Sequence, residues 1–270
     1  MGEELNCMIN EKGGNSSMFK KIDYDNWSLI PEKVDTVFVV AQSNDYKKNP
    51  MTKDLLYANT ILPLQAIIQA SENKVKNFIY FSTGSIYNNS NEPHIEENDF
   101  KPPIENPYVA TKFATEVLLR SWKESFERLF IFRPFFMYGF NQNELQILPR
   151  MVESVKSKKK IKLANDLGLI FNPIHAFDAA RFVLHAMDDK RGFQIFNLAG
   201  EKKTSLKEIV EKISKVLEIP AEIEISNSNE SVVLGSINKI KETGFKYKIS
   251  IDEGIKELVF NQRDSKLFSY

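Results

Sequence analysis

The 270-residue chain is short of cysteine, of histidine, of net charge and of long apolar runs. Cys7 is its only cysteine, which excludes an intrachain disulfide and any metal site built from several thiolates. The three histidines, His94, His175 and His185, miss the i, i+4 spacing of paired ligands on a helix, so no metal is expected. Lysine and arginine total 36 against 36 acidic residues, a net charge of zero. That balance argues against a nucleic-acid partner or an anionic membrane surface. The longest nearly apolar stretch, residues 129–140, carries Arg133 and falls well short of the roughly 20 apolar residues that cross a bilayer. The start, Met-Gly-Glu-Glu-Leu-Asn, has neither a basic segment nor an apolar run, so no secretory signal is expected and the expected location is cytoplasmic.

What is present is an ordinary globular composition, 42% hydrophobic and 27% charged, enough for one large domain or a domain with a smaller lobe. There is no internal repeat, and the one charge run, Lys158-Lys159-Lys160, reads as a solvated helix end. Residues 36–41 and 78–82 are short apolar, β-branched or aromatic runs that predict buried strands. Between them Leu55, Leu56, Asn59, Leu62, Leu64, Ile67 and Ile68 recur at mostly helical spacing, and a strand–helix–strand unit favours a parallel sheet. The pattern repeats: Pro107 opens a helix through Leu118, and residues 129–132 form a third strand that Arg133-Pro134 ends. Further on, residues 177–187 predict a helix and 194–198 a strand. Ser205 caps a helix bearing Leu206, Ile209, Val210, Ile213, Val216 and Leu217, with Glu208 completing a capping box. Residues 236–259 read as two short helices around Thr243-Gly244-Phe245. Strands alternating with helices mean α/β architecture.

Chemistry concentrates in Ser82-Thr83-Gly84-Ser85-Ile86-Tyr87 at a strand end and Pro107-Tyr108-Val109-Ala110-Thr111-Lys112 at a helix start. Ligands bind at the carboxyl ends of parallel strands. A tyrosine works as an acid or base near neutrality when its phenol is drawn down from about 10, and a lysine one helical turn away supplies a positive field. With 9 tyrosines and many lysines, one Tyr-x-x-x-Lys is expected by chance, so its context matters. That context includes Arg133-Pro134-Phe135-Phe136-Met137-Tyr138-Gly139. The three motifs, in this order, resemble those of the extended short-chain dehydrogenase/reductase family, in its NAD-dependent epimerase/dehydratase group. The resemblance covers roughly residues 20–260.

The resemblance implies a Rossmann-like NAD(P)-binding domain over residues 1–200, with 140–173 joining 201–270 in a small α+β substrate lobe. It implies Tyr108 as proton donor or acceptor, Lys112 as the residue that holds the nicotinamide ribose and lowers the Tyr108 pKa, and Thr83 as the group that orients the substrate oxygen. NAD is the implied cofactor, with NADP as the alternative. Asp23, Tyr24, Ala41, Asn59, Arg133 and Pro134 match its cofactor side, and Thr83, Gly84, Ser85, Tyr138 and Asn172 its substrate side. The implied substrate is small and sugar-like, and the implied assembly is a homodimer through the helix bearing Tyr108. From the residues alone, Arg133-Pro134 equally ends a strand, His175 reads as a satisfied, semi-buried side chain, and Asp178 as the cap of the helix that follows it.

Several positions depart from the family pattern. The sequence has no Gly-x-x-Gly-x-x-Gly turn, the device that brings backbone amides to a cofactor pyrophosphate. Residues 5–9 are read as the family's second strand, which makes Glu11 a ribose partner and the sheet N-terminally incomplete. Gly84-Ser85 stands where sugar-nucleotide dehydratases carry Asp-Glu, which disfavours dehydration. Phe171 stands where an arginine grips a substrate diphosphate, which weakens the case for a nucleotide-sugar. The expected activity is thus that of an epimerase or reductase. The competing expectation is a non-catalytic relative or fragment that binds a partner.

Overall fold

The computed structural model describes residues 1–18, 30–98, 100–140, 142–143 and 145–262. In chain order the elements are α1 (Gly2–Glu11), β1 (Thr36–Val39), α2 (Lys53–Leu56), a π-helical turn (Tyr57–Ile61), α3 (Leu62–Glu72), β2 (Asn77–Phe81), α4 (Pro107–Leu119) and β3 (Arg128–Pro134). There follow α5 (Ile147–Lys156), β4 (Ile161–Ala164), β5 (Leu169–Phe171), α6 (Ala176–Asp189), β6 (Gly192–Leu198), β7 (Thr204–Ser205) and α7 (Leu206–Leu217). The last are β8 (Ile223–Ser226), β9 (Ser231–Val233), α8 (Asn238–Glu242) and α9 (Ile251–Phe260). Among the described residues no helix is long and apolar enough to cross a membrane. The chain divides into two compact units.

The first unit comprises Met1–Asn88, Glu96–Pro134 and Val183–Asn197. Its sheet has the order β1-β2-β3-β6, with β1, β2 and β3 parallel and in the register Val39↔Tyr80↔Ile131. This is the Rossmann-like α/β sheet that the alternation predicts. β2 is buried at every position, as a strand covered on both faces should be. One face packs Phe78, Tyr80, Leu129 and Ile131 against Ile67 and Ala70 of α3 and Leu119 of α4. On the strands themselves, Phe81 stacks on Phe132 at 5.6 Å and Phe132 on Phe196 at 5.5 Å, an aromatic row across β2, β3 and β6.

The N-terminal segment corrects the sequence reading. Residues 5–9 lie in α1, a helix, and not in a second strand. Glu4, Leu5 and Met8 are buried while Cys7 is exposed, a helical spacing that a strand would have reversed. Gly13 takes a φ of 80° and, with Gly14 donating to the Ile9 carbonyl at 2.9 Å, closes the helix, so the glycine pair is a C-terminal cap. Glu11 consequently ends a helix and does not follow a strand. Among the described residues β1 forms one edge of the sheet and β6 the other.

The second unit comprises Asn89–Ile95, Phe135–Phe182 and Leu198–Tyr270. It holds the parallel pair β4–β8 and a three-stranded sheet of order β7-β5-β9. Helices α5, α7 and α9 enclose a core that includes Leu148, Val152, Leu163, Phe171, Ile209, Ile213, Ile255 and Val259. The capping box at Ser205 is formed as predicted, Ser205 Oγ accepting from Glu208 N–H and the Glu208 carboxylate from Ser205 N–H. Ser250 and Glu253 make a second one at α9. Lys158, Lys159 and Lys160 follow α5 and are exposed.

Candidate active site

The site is assembled in the first unit where β2 ends and α4 begins. Thr83 follows the strand in extended backbone and its Oγ1 accepts the Ser85 N–H at 3.1 Å, which folds Gly84–Ile86 into a single 3₁₀ turn. Asn106 caps α4 through the Tyr108 N–H at 3.0 Å, and Pro107, which has no N–H to leave unpaired, takes the first helical position. Tyr108, Lys112 and Glu116 recur every fourth residue, so they share the inward face of that helix, and all three are buried.

The Tyr108 phenol lies beside the Thr83 hydroxyl. Burial pushes it up to about 12, opposed by the Thr83 hydroxyl, so the folded chain holds Tyr108 protonated near neutrality. Lys112 Nζ donates to the carbonyls of Phe81 at 2.9 Å and Ala41 at 3.1 Å, the ends of two neighbouring strands. Burial lowers this ammonium to about 7, against the pull of Glu116. Tyr108, Lys112, Thr83 and the Ala41 carbonyl thus lie in one cluster. The expected lowering of the Tyr108 pKa by Lys112 is corrected: burial raises it, and the side chains that act on the phenol are Thr83 and Tyr46.

Asn59 sits in the π-helical turn, with no exposure. Its Nδ2 donates to Thr111 Oγ1 at 3.1 Å, and its carbonyl accepts from Thr115 Oγ1 at 2.8 Å and from the Tyr80 phenol at 3.2 Å. Asn59 Oδ1 and Ser82 Oγ are buried and have no protein partner among the described residues. Such groups are rare because each costs about 1–3 kcal/mol, and a bound polar ligand is one remedy.

One turn further along α4 the polar groups are saturated. Arg133 and Glu116 form a bidentate pair with no exposure on either side, Nε to Oε1 at 3.1 Å and Nη2 to Oε2 at 2.7 Å. Arg133 Nη1 also donates to the Tyr87 phenol, which donates to Asn197 Oδ1 at 3.0 Å. Glu96 in turn accepts the Asn197 N–H at 2.8 Å. Arg133, placed on the cofactor side by the resemblance, is therefore committed inside the protein, with half-buried Pro134 ending β3 beside it. Glu116 escaped the sequence reading; its signal is the position four residues beyond Lys112 on the same face.

A model of the NAD dependent epimerase/dehydratase family matches residues 10–199. The chain belongs to that family. A curated relative in the family, dTDP-D-glucose 4,6-dehydratase from Homo sapiens, is 23% identical over 240 residues, which is 84% of this chain and 68% of the relative. Among solved structures the fold is similar to UDP-glucuronic acid 4-epimerase from Bacillus cereus in complex with UDP-glucuronic acid and NAD. That match has a TM-score of 0.80 at 19% identity, covering 96% of this chain and 86% of the other. It is also similar to RMD from Pseudomonas aeruginosa complexed with NADPH, with a TM-score of 0.79 at 18% identity over 96% and 94% of the two chains.

The remaining positions suggested by likeness to the epimerase/dehydratase family are distributed as follows. Asp23 and Tyr24 lie outside the described residues. Gly84 and exposed Ser85 form the 3₁₀ turn after Thr83. In the second unit, Tyr138 is buried with its ring edge-on to His175 at 5.1 Å, and a Cβ on Gly254 would meet that ring at 2.5 Å. Asn172 is buried and ties two glycines together: Nδ2 donates to the carbonyls of Gly200 and Gly235, and Oδ1 accepts the Gly235 N–H. Phe171 packs edge-on to Phe136 in that unit's core.

Of two smaller expectations, a satisfied His175 holds, with fuller burial than expected, and Asp178 as a helix cap is corrected. His175 is fully enclosed, its Nε2 2.6 Å from Glu257 Oε2, and its Nδ1 accepts the Phe177 N–H, so His175 supplies the side-chain cap of α6. Asp178 lies inside the first turn of α6 and accepts the backbone N–H groups of Lys248 and Ile249, together with Arg181 Nη1. It holds the segment leading to α9 in place of capping its own helix.

Proposed function

We propose that this chain is an NAD-dependent epimerase or reductase that acts on a hydroxyl or carbonyl carbon of a sugar-like substrate. The observation that carries the reading is the placement of Thr83, Tyr108 and Lys112 together, with Lys112 Nζ on the Phe81 and Ala41 carbonyls where two parallel strands end. The unpartnered Ser82 Oγ and Asn59 Oδ1 fit a polar ligand there, and with Lys112 and the Ala41 backbone they are the groups that would hold the cofactor. NAD, when bound, supplies the hydride acceptor and donor.

Tyr108 holds its proton near neutrality and is suited to deliver it to a carbonyl oxygen. In the opposite direction it takes a proton from a hydroxyl, which a protonated Lys112 one turn away favours. Thr83 lies beside the Tyr108 phenol, where its hydroxyl can hydrogen-bond a substrate oxygen. Gly84 and Ser85 bring no carboxylate to the turn after Thr83, so elimination of water lacks an acid–base pair there, and epimerisation or reduction is the better fit. On the substrate side the reading keeps Thr83, Gly84 and Ser85, with Tyr138 and Asn172 as supports of the second unit.

The same reading includes a homodimer. Ile61 of the π turn, Ile68 of α3 and Val117 and Leu118 of α4 are large apolar side chains left exposed, material for a helical interface. A cytoplasmic location belongs to it as well, in keeping with the single cysteine.

The test is calorimetric titration of the purified chain with NADH and separately with NADPH. Saturable binding is expected, with Tyr108→Phe binding as well as the parent while losing turnover by about 10²–10⁴-fold on whatever sugar substrate is found. A folded chain that gives no heat with either nucleotide would replace this reading with that of a partner-binding relative.

A further inference from the structure

The loop between β1 and α2 brings one more side chain to the site. Its start is already part of the cluster, since the Ala41 carbonyl receives Lys112 Nζ. Ser43 is buried, donating to Asp54 Oδ2 at 2.5 Å and accepting the Asp45 N–H at 3.0 Å, while Lys48 pairs with Asp45 at 2.9 Å. These ties hold the loop at intervals of a few residues. Between them stands Tyr46, whose ring meets that of Tyr108 at 6.2 Å and 66°, the edge-to-face arrangement aromatic pairs prefer. Lys47 Nζ lies 5.3 Å from the Tyr46 ring centre.

We infer that Tyr46 is a positioning residue for Tyr108: its ring covers the reactive phenol from water and fixes the plane of the Tyr108 ring. The need for such a cover follows from the topology. Tyr108 is the second residue of α4, at a helix end, and its low exposure of 9% has to be supplied by a neighbour beyond its own helix. Tyr46 packs on the ring from the loop. The burial that keeps the phenol protonated is thus partly the work of a loop, and the Tyr46 phenol, apart from that burial, disfavours a negative charge on Tyr108. The role rests on the reading of Tyr108 as the acid, but the cover itself can be tested without cofactor or substrate.

The experiment is limited tetranitromethane nitration at pH 8, mapped by peptide mass spectrometry, on the full chain and on Tyr46→Ala and Tyr46→Phe. Nitration needs the phenolate, so a Tyr108 returned from about 12 part of the way to 10 reacts roughly tenfold faster. In Tyr46→Ala that rise is expected at Tyr108 alone, with fully buried Tyr80 and nearly buried Tyr87 as internal controls that stay at the parent rate. Tyr46→Phe keeps the ring and is expected to keep Tyr108 protected. An unchanged Tyr108 rate in Tyr46→Ala, a parallel rise of Tyr80 and Tyr87, or a rise in Tyr46→Phe equal to that in Tyr46→Ala would each overturn the inference. The NADH titration decides the functional reading separately, so failure of one is not mistaken for failure of the other.

Discussion

Two adjacent turns of α4 bury the same kinds of group and treat them differently. At Glu116 the carboxylate meets Arg133 through two parallel hydrogen bonds, and the remaining guanidinium face is met by Tyr87. At Lys112 an equally buried amine donates to neutral carbonyls and lies over the Tyr80 ring at 5.0 Å, with no carboxylate bonded to it among the described residues, and Ser82 and Asn59 keep polar atoms with no partner there. A saturated buried network defines a structure and has nothing to offer a ligand. An under-satisfied one costs stability in the empty chain and recovers it on binding. The contrast separates scaffold from site within one helix.

The largest effect should come from the saturated turn. Glu116→Ala strands the Arg133 guanidinium in the core and should cost about 3–5 kcal/mol in urea unfolding, whereas Glu116→Leu combined with Arg133→Met should recover most of that loss. A single variant that unfolds at the parent midpoint would erase the distinction.

The under-satisfied turn should respond to pH. Lys112 is held at about 7 when folded against 10.5 for an ordinary lysine, so between these values the unfolded chain binds the extra proton and stability rises with pH. Its cost is absent above 10.5, grows by about 1.4 kcal/mol per pH unit as pH drops toward 7, and is then level. Lys112→Met should remove this slope between pH 7 and 9 and be more stable than the parent at pH 7. Parallel stability profiles for the two proteins would place Lys112 with Glu116, as scaffold.

The smallest effect sharpens the comparison most. Ser82→Ala deletes a buried hydroxyl without a protein partner, so stability should hold or rise by up to about 1 kcal/mol. NADH affinity should fall by about three- to tenfold by calorimetry, the worth of one hydrogen bond. A loss of stability with unchanged affinity would make Ser82 structural.

Much of this was legible in the residues. β2 and β3 announce themselves because a parallel strand covered on both faces must be apolar throughout, and α7 because its capping box and apolar stripe agree. Residues 5–9 misled because a short apolar run carries no period of its own; the helix was written in Gly13-Gly14, the cap beyond it. At the candidate site, Tyr108, Lys112 and Thr83 were legible as parts of ordered motifs. Glu116 and Tyr46 were not, since their meaning lies in partners at Arg133 and Tyr108, which only the folded chain brings near. The employment of Asn172 and Tyr138 within the second unit was hidden for the same reason.

The π-helical turn at Tyr57–Ile61 has an engineering consequence. It accommodates one residue more than a regular turn, and each residue advances a helix by about 100°. The surplus lets Leu55 before it and Ile67 after it both face inward, and it carries Asn59, whose carbonyl serves Thr115 and Tyr80. Deleting one residue there would yield a regular helix whose flanking faces stay aligned, since eleven steps of about 100° bring Leu55 and Ile67 back to one side. The loss would fall on Asn59 and its bonds to Thr111, Thr115 and Tyr80, so in a shortened or recombined version of this chain the single-residue gap to avoid is the one that looks most like an improvement.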